Sequence, residues 1–484
     1  MIIRIQIISK ILIIGLVAQF ICSCAETEKN QTPEFDTDFK VFESLSAETT
    51  GISFINALTE NDSLNYFTYN YIYMGGGVAA GDINNDGLID LYFTGNQVEN
   101  KLYLNKGNLQ FEDITIPAGI AGDERWYTGV TMADVNGDGY LDIYCSVSGK
   151  FEPRTNQLFI NNQDNTFTES AAEYGLADKG SSIQATFFDY DKDGDLDMYQ
   201  ANYPPTKFSS PTWVYEQYMR DPSDLQTDHL YENTTNGFVD VTDKAGLRSY
   251  SLSLSATIGD LNNDGWPDIY VSSDFNSPDM MFLNKGDGTF TEVIKDATAQ
   301  TAFYGMGVDI ADFNNDGLLD FFQADMDAKI NRRKKANMAS MNIDLFWSVV
   351  DAGFHYQYMH NCMQMNNGVF NAEGIPDFSN ISRITGTSST DWSWGPLFAD
   401  FDNDGLKDLF ITNGTRREIN DNDYFNRIEE QGGIAQDSLL FWSQNIPEEK
   451  LDNFMFKNKG DYAFEKANDS WNISFNGFSN GGIY

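Results

Sequence analysis

A short acidic loop recurs six times along the chain: an Asp, an Asp or Asn two residues on, another Asp after two more, then Gly and a closing Asp. The copies are Asp82/Asn84/Asp86/Gly87/Asp90, Asp134/Asn136/Asp138/Gly139/Asp142, Asp189/Asp191/Asp193/Gly194/Asp197, Asp260/Asn262/Asp264/Gly265/Asp268, Asp312/Asn314/Asp316/Gly317/Asp320 and Asp400/Asp402/Asp404/Gly405/Asp408. Two carboxylates about 5 Å apart repel by roughly 3 kcal/mol at an effective dielectric of about 20, so each loop calls for a counter-ion. Oxygen side chains at alternate positions curl around a hard cation, and the Gly supplies the positive φ of the bend. Ca²⁺ fits best, held by the side chains at positions 1, 3, 5 and 9, water, and the carbonyl at position 7: Leu88, Tyr140, Asp195, Trp266, Leu318 and Leu406. These thirty residues are the predicted ligands of about six Ca²⁺ ions. A single such loop reads equally as an Asx turn, whereas six in one phase do not.

No position-12 Glu or amphipathic helix follows the loops, which excludes an EF-hand. Short apolar runs follow instead, such as Asp90-Leu-Tyr-Phe and Asp268-Ile-Tyr-Val, and these predict buried strands. Upstream lie small-residue runs, Gly75-Gly-Gly-Val-Ala-Ala and Gly129-Val-Thr-Met-Ala among them, suited to a crowded innermost strand. Downstream, Asn100-Lys-Leu-Tyr-Leu-Asn105-Lys-Gly107 and its counterparts ending at Asn161, Asn233, Asn284 and Asn458 predict hairpins. The loops start 52, 55, 71, 52 and 88 residues apart, a unit of 52 with two insertions. Strand, loop, strand and hairpin make four strands per unit, so the fold class is all-β. It is a β-propeller of four-stranded blades with short helical insertions, six calcium loops in view and seven blades when complete. The final run, Asn476-Gly-Phe-Ser-Asn-Gly-Gly-Ile-Tyr484, reads as one more innermost strand, from which a C-terminally truncated propeller over 39–484 is expected.

A formal charge of −41 argues against nucleic acid and anionic membrane surfaces as partners. The one basic cluster, Arg332/Arg333/Lys334/Lys335, reads as a solvated face. Cys145 and Cys362 imply no disulfide framework. Residues 1–23 form an apolar leader that ends in Ile21-Cys22-Ser23-Cys24. This resembles a bacterial lipobox, so a lipoprotein signal peptide, lipidation at Cys24 and a flexible tether over 24–38 are expected. The expected address is outside the cytoplasm, on the outer membrane or cell surface of a Gram-negative bacterium, with membrane contact only through the lipid. Calcium there is near millimolar, which matches extracellular calcium modules.

Three insertions interrupt the rhythm: 201–228, rich in Pro204, Phe208, Trp213, Tyr215 and Tyr218; 326–360, helix-like; and 415–450, charged and partly helical. Long inserts on a rigid scaffold are where ligand contacts collect. The chain resembles the FG-GAP/VCBS family of integrin-α-like calcium propellers across residues 45–484. Tyr73-Met-Gly-Gly-Gly-Val-Ala-Ala-Gly-Asp82, His355-Tyr-Gln-Tyr-Met and Asp391-Trp-Ser-Trp-Gly-Pro-Leu-Phe-Ala-Asp resemble secreted bacterial proteins similar to cartilage acidic protein, which often carry an ASPIC/UnbV domain that this sequence lacks. The resemblance implies a calcium-stabilised module for surface binding or adhesion and no reaction. No HExxH, GxSxG, CxxC or P-loop occurs, and the three histidines, His229, His355 and His360, read as surface or packing residues. The sequence therefore predicts no catalytic residues and a non-enzymatic binder of an extracellular glycan or protein. A calcium-dependent polysaccharide lyase or hydrolase and an architectural spacer are the alternatives.

Overall fold

Each acidic loop closes a tight hairpin between two antiparallel strands, as the flanking apolar runs require. In the first blade, Val78–Gly81 pairs with Asp90–Phe93 so that Gly81 faces Asp90 across the loop; Lys101–Asn105 and Phe111–Asp113 add two further strands. The computed structural model describes residues 41–206, 210–336, 342–369 and 371–484, and 42–484 make up the unit considered below. The leader, the tether, Cys24 and Phe208 lie outside the described residues. Among the described residues there are six four-stranded antiparallel sheets, each laid out in chain order from the innermost strand outwards.

The innermost strands, Val78–Gly81, Trp126–Ala133, Ser182–Phe188, Ser253–Gly259, Val308–Ala311 and Ser393–Ala399, each touch the next one along. Their small residues are obligatory. A Cβ on Gly77 would lie 2.7 Å from the Val130 nitrogen, and one on Gly129 would lie 2.3 Å from the Ile183 carbonyl oxygen. The apolar core sits between blades rather than within them. Ile83, Tyr92 and Leu102 of the first blade pack on Ile143 and Phe159 of the second, and four similar clusters join the later neighbours. The apolar residue at loop position 2 is buried in five copies (Ile83, Val135, Tyr190, Leu261, Phe313) and half-buried in Phe401.

The sixth and first blades are joined by chain from both ends of the unit. Phe42 packs on Phe401 and its N–H donates to the Trp471 carbonyl, while Tyr66 and Arg416 tie residues 58–66 to the insert after the sixth blade's second strand. At the other end, Asn480 donates to the Tyr73 carbonyl and Ser479 to that of Asn413. Only Asn476–Gly477 of this last run forms a strand, paired with Leu451–Asp452. An innermost strand owes its ladder to the partner across its own acidic loop, and residues 478–484 meet none among the described residues.

The inserts carry helices at Thr212–Arg220, Asn331–Ala336, Ile343–Asp351, Asn422–Glu430 and Leu439–Gln444. One expectation is corrected here. Arg333 is no solvated residue: it is 2% exposed and holds Asp391 through two bonds of 2.7 and 2.8 Å, with Glu418 at 3.1 Å and Glu449 at 2.9 Å. Lys334 pairs with Asp327, so only part of the basic run faces water. Cys145 and Cys362 are both buried free thiols. Among the described residues no helix is long and apolar enough to cross a membrane.

Candidate functional site

Two ends of the strands carry distinct chemistry, and the connectivity separates them. The acidic loops run from the end of each innermost strand to the start of the second. The inserts and the approaches to each innermost strand gather at the opposite end.

Within a loop the backbone is wrapped around its own carboxylates. Asp82 accepts the N–H groups of Asp86 and Gly87 at 3.1 and 2.7 Å, and Asp86 accepts that of Leu88 at 2.9 Å. The same pattern recurs around Asp134, Asp260, Asp312 and Asp400. The ninth-position residues Asp90, Asp142, Asp197, Asp268, Asp320 and Asp408 are at most 1% exposed, and each anchors two elements. Oδ2 accepts the position-2 N–H, as Ile83 to Asp90 at 3.0 Å, and Oδ1 accepts the N–H of the hairpin Asn. Those hairpin residues are Asn105, Asn161, Asn233, Asn284, Asn366 and Asn458, at 2.7–2.9 Å. Burial pushes the Asp268 carboxyl up to about 7, against the N–H donors of Asn284 and Leu261 and with the charges of Asp264 and Asp260. A bound cation would reverse that shift.

The donor set fits a hard divalent cation. In the third and sixth loops, oxygens of Asp189, Asp191 and Asp197, and of Asp400, Asp402 and Asp408, lie within 4.8 Å of one another. Asp189 Oδ1 and Asp402 Oδ1 are buried with no hydrogen-bond partner among the described residues. Asn84, Asn136, Asn262 and Asn314 stand at position 3 of the other loops and turn their amide N–H onto the position-5 Asp.

At position 5 the carboxylate also serves its own chain. Asp193 and Asp404 lie outside the two groups of three acids in their loops, and in every loop one position-5 oxygen accepts a backbone N–H. Asp193 Oδ1 accepts the Asp195 N–H at 3.2 Å; Asp316 accepts the Leu318 N–H on Oδ1 and the Asn314 amide on Oδ2, each at 2.9 Å. The physical reason is the turn itself, which places the position-7 N–H over the position-5 carboxylate. Tyr140, Trp266 and Leu406 bond Asp138, Asp264 and Asp404 in the same way, at 2.9–3.0 Å. The other oxygen of Asp193, and a second lone pair on each bonded one, stay open to a cation.

Two features escaped sequence reading. Position 4 is left-handed in every loop (Asn85, Gly137, Lys192, Asn263, Asn315, Asn403), and four of these side chains reach the position-6 carbonyl of the next loop. Asn85 meets Gly139 O at 2.9 Å, Asn263 meets Gly317 O at 3.4 Å, Asn315 meets Gly405 O at 2.9 Å, and Lys192 meets Gly265 O. The hairpin Asn side chains also reach back to the preceding loop, from Asn161 to Ile83 O through Asn458 to Phe313 O, at 2.8–3.1 Å. The repeated Asn at both positions was the available signal.

At the opposite end is a cavity of about 500 Å³. Its wall takes Tyr66 and Tyr71 from the chain before the first blade, Tyr203 and Phe275 from the ends of second strands, and Tyr304 and Trp394 from the starts of innermost ones. Tyr71 and Tyr203 meet edge to face at 5.0 Å, Phe275 and Tyr304 at 5.3 Å, and Trp394 is fixed by its indole N–H on Gly414 O at 2.9 Å. Four asparagines, Asn70, Asn342, Asn420 and Asn422, share the lining.

The histidines pack. His229 donates to Asp240 at 2.8 Å and to the Asp224 carbonyl at 2.9 Å; burial opposes its charge, yet Asp240 and Asp178 outweigh it and raise the pKa to about 9. His355 is buried on Thr298 at 3.0 Å, and burial together with Lys295 lowers it to about 4.

The model of the FG-GAP-like repeat matches residues 74–145, 147–199 and 260–322. These segments are similar to FG-GAP repeats. In FG-GAP terms the matched segments cover the first two blades, the inner part of the third, and the acidic loops of the fourth and fifth. Cartilage acidic protein 1 of Xenopus tropicalis is 24% identical over 389 residues, covering 70% of this chain and 57% of that protein. The Homo sapiens protein of the same name is 26% identical over 385 residues, covering 70% and 56%. The chain thus spans a little over half the length of these relatives. Among solved structures, an Agrocybe aegerita lectin described as recognising non-reducing terminal N-acetylglucosamine aligns at a TM-score of 0.42 and 14% identity, covering 82% of this chain and 83% of that one. A Bacillus licheniformis rhamnogalacturonan lyase aligns at a TM-score of 0.31 and 13% identity, covering 53% and 47%.

Proposed function

We propose that this FG-GAP propeller is a non-catalytic, calcium-stabilised binding module that takes a glycan in its aromatic cavity, and that it is exported and lipid-anchored through Cys24. The cavity carries the reading. Its volume, about 500 Å³, suits a small ligand, aromatic faces stack on the C–H faces of sugar rings, and asparagines on the wall add polar edges beside the rings. Among the described residues one acid, Asp274, lines it, where two-carboxylate hydrolysis needs a pair, which favours a binder over such a hydrolase.

A glycan array probed with the calcium-loaded chain is expected to yield a ligand whose affinity falls at least tenfold in Tyr304→Ala, with the variant still folded in calcium at the assay temperature by circular dichroism. Silence across glycan classes would leave the architectural spacer as the better account.

The six loops are proposed to hold calcium unequally. The residue before the hairpin Asn is Glu232 beside the third loop and Lys457 beside the sixth, where the ammonium touches Asp402 and lies 3.0 Å from Asp404 Oδ2. A built-in cation competes with a bound one. Lys457→Met is therefore expected to tighten calcium binding at one loop by at least tenfold, seen by isothermal titration as an added or strengthened site. An unchanged isotherm would remove Lys457 from the account.

A further inference from the structure

Asp274 stands on the wall of the aromatic cavity, just beyond the second strand of the fourth blade, and is 6% exposed. Its carboxylate accepts the Tyr203 hydroxyl at 2.9 Å and the N–H of its own neighbour Phe275 at 2.9 Å. Three other buried acids near the same ends of the blades are better satisfied and do not line the cavity. Asp228 accepts Asn202 N–H, the Tyr199 hydroxyl and Ser253; Asp279 accepts Ser273 N–H, the Tyr270 hydroxyl and Gln323; Asp325 accepts the N–H groups of Phe303, Tyr304 and Met326. Two other buried carboxylates, Asp391 and Glu418, are given a cation by Arg333. Asp274 has no Lys, Arg or His partner among the described residues, and no Lys or Arg lines the cavity among them.

We infer that the cavity recognises an organic ammonium group, and that the glycan it takes carries a free amine. This rests on the glycan reading and deepens it. A buried carboxylate is costly without an opposite charge beside it. The faces of Tyr71, Tyr203 and Tyr304 add quadrupole attraction for a cation. An anionic sugar would meet that carboxylate and those ring faces with no basic side chain to receive it. Burial raises the Asp274 carboxyl to about 7, which an arriving ammonium would offset.

The test compares a glucosamine tetramer with its fully N-acetylated counterpart by isothermal titration against the full calcium-loaded chain, beside a trimethyllysine peptide. The amine form is expected to bind at least tenfold more tightly than the acetylated one, and Asp274→Asn to abolish that preference. The comparison of the two tetramers on the unaltered chain stands even if the variant misfolds. Equal or tighter binding of the acetylated tetramer, or of any neutral glycan that Tyr304→Ala weakens, overturns the ammonium and leaves the glycan reading intact. Binding of the peptide without the glucosamine tetramer overturns the amino sugar. Absence of binding by every glycan overturns both.

Discussion

Chelation of the calcium-loaded chain is expected to lower its melting temperature by roughly 5–10 °C. With a dissociation constant of about 0.1 mM, at the tight edge of extracellular modules, and millimolar calcium, each loop contributes about 1.4 kcal/mol. Six loops contribute about 8 kcal/mol, and an unfolding entropy of about 2 cal/mol/K per residue converts this to the stated shift. Asp134→Ala should lose one loop's share in calcium and differ little from the parent in chelator, because its carboxylate then serves only the N–H groups of Asp138 and Gly139. Scanning calorimetry with and without EDTA reads both numbers. Equal destabilisation of the variant in the two buffers would reduce the loops to ordinary turns.

Arg333→Ala is expected to cost about 3–5 kcal/mol, because it leaves Asp391 and Glu418 buried without a counter-charge. Lys335→Ala, two residues on and exposed, should change stability by less than about 0.5 kcal/mol. The contrast between the two in denaturant unfolding isolates burial from charge, since each removes one positive charge from the same short helix. Similar small effects from both would mean that the Arg333 cluster contributes no more than a surface ion pair.

The blades were legible because their determinants are local. Loop, small innermost strand and hairpin lie within about 35 residues of one another, and the period repeats them in register. The fifth hairpin was not, because the helical insert separates the loop at Asp320 from Asn366, which completes the same bond at 2.8 Å. Arg333 was misread for a related reason. Its partners stand 58, 85 and 116 residues further along, so nothing near it in sequence distinguishes it from its exposed neighbours. Spacing alone also treats every acid of a loop alike, and so it missed that Asp193 and Asp316 are partly engaged by their own backbone. Sequence reading pointed to the insertions for ligand contact; they supply Tyr203, Met326, Leu345, Met359 and Phe425 to the cavity wall, and the starts of innermost strands add Tyr304 and Trp394, which carried no such signal. Asp274 carries no motif at all, and only its neighbours in space give it meaning.

Side chains at position 4 hand the first, third, fourth and fifth loops on to their successors, while in the second loop Gly137 has none to offer. A groove of about 650 Å³ lies there, bordered by Asp134, Asn136 and Gly137 on one side and Gly194 and Asp195 on the other. On this rim the clasp between the second and third blades is left undone, so those neighbours rely on their shared apolar seam, on the Asn233 amide that reaches Val135 and, further in, on Thr128, Thr131 and Asn156, whose side chains bond Ser182 and Ala185. Strain reaching that joint from the loop side would meet one clasp fewer than at the joints on either hand.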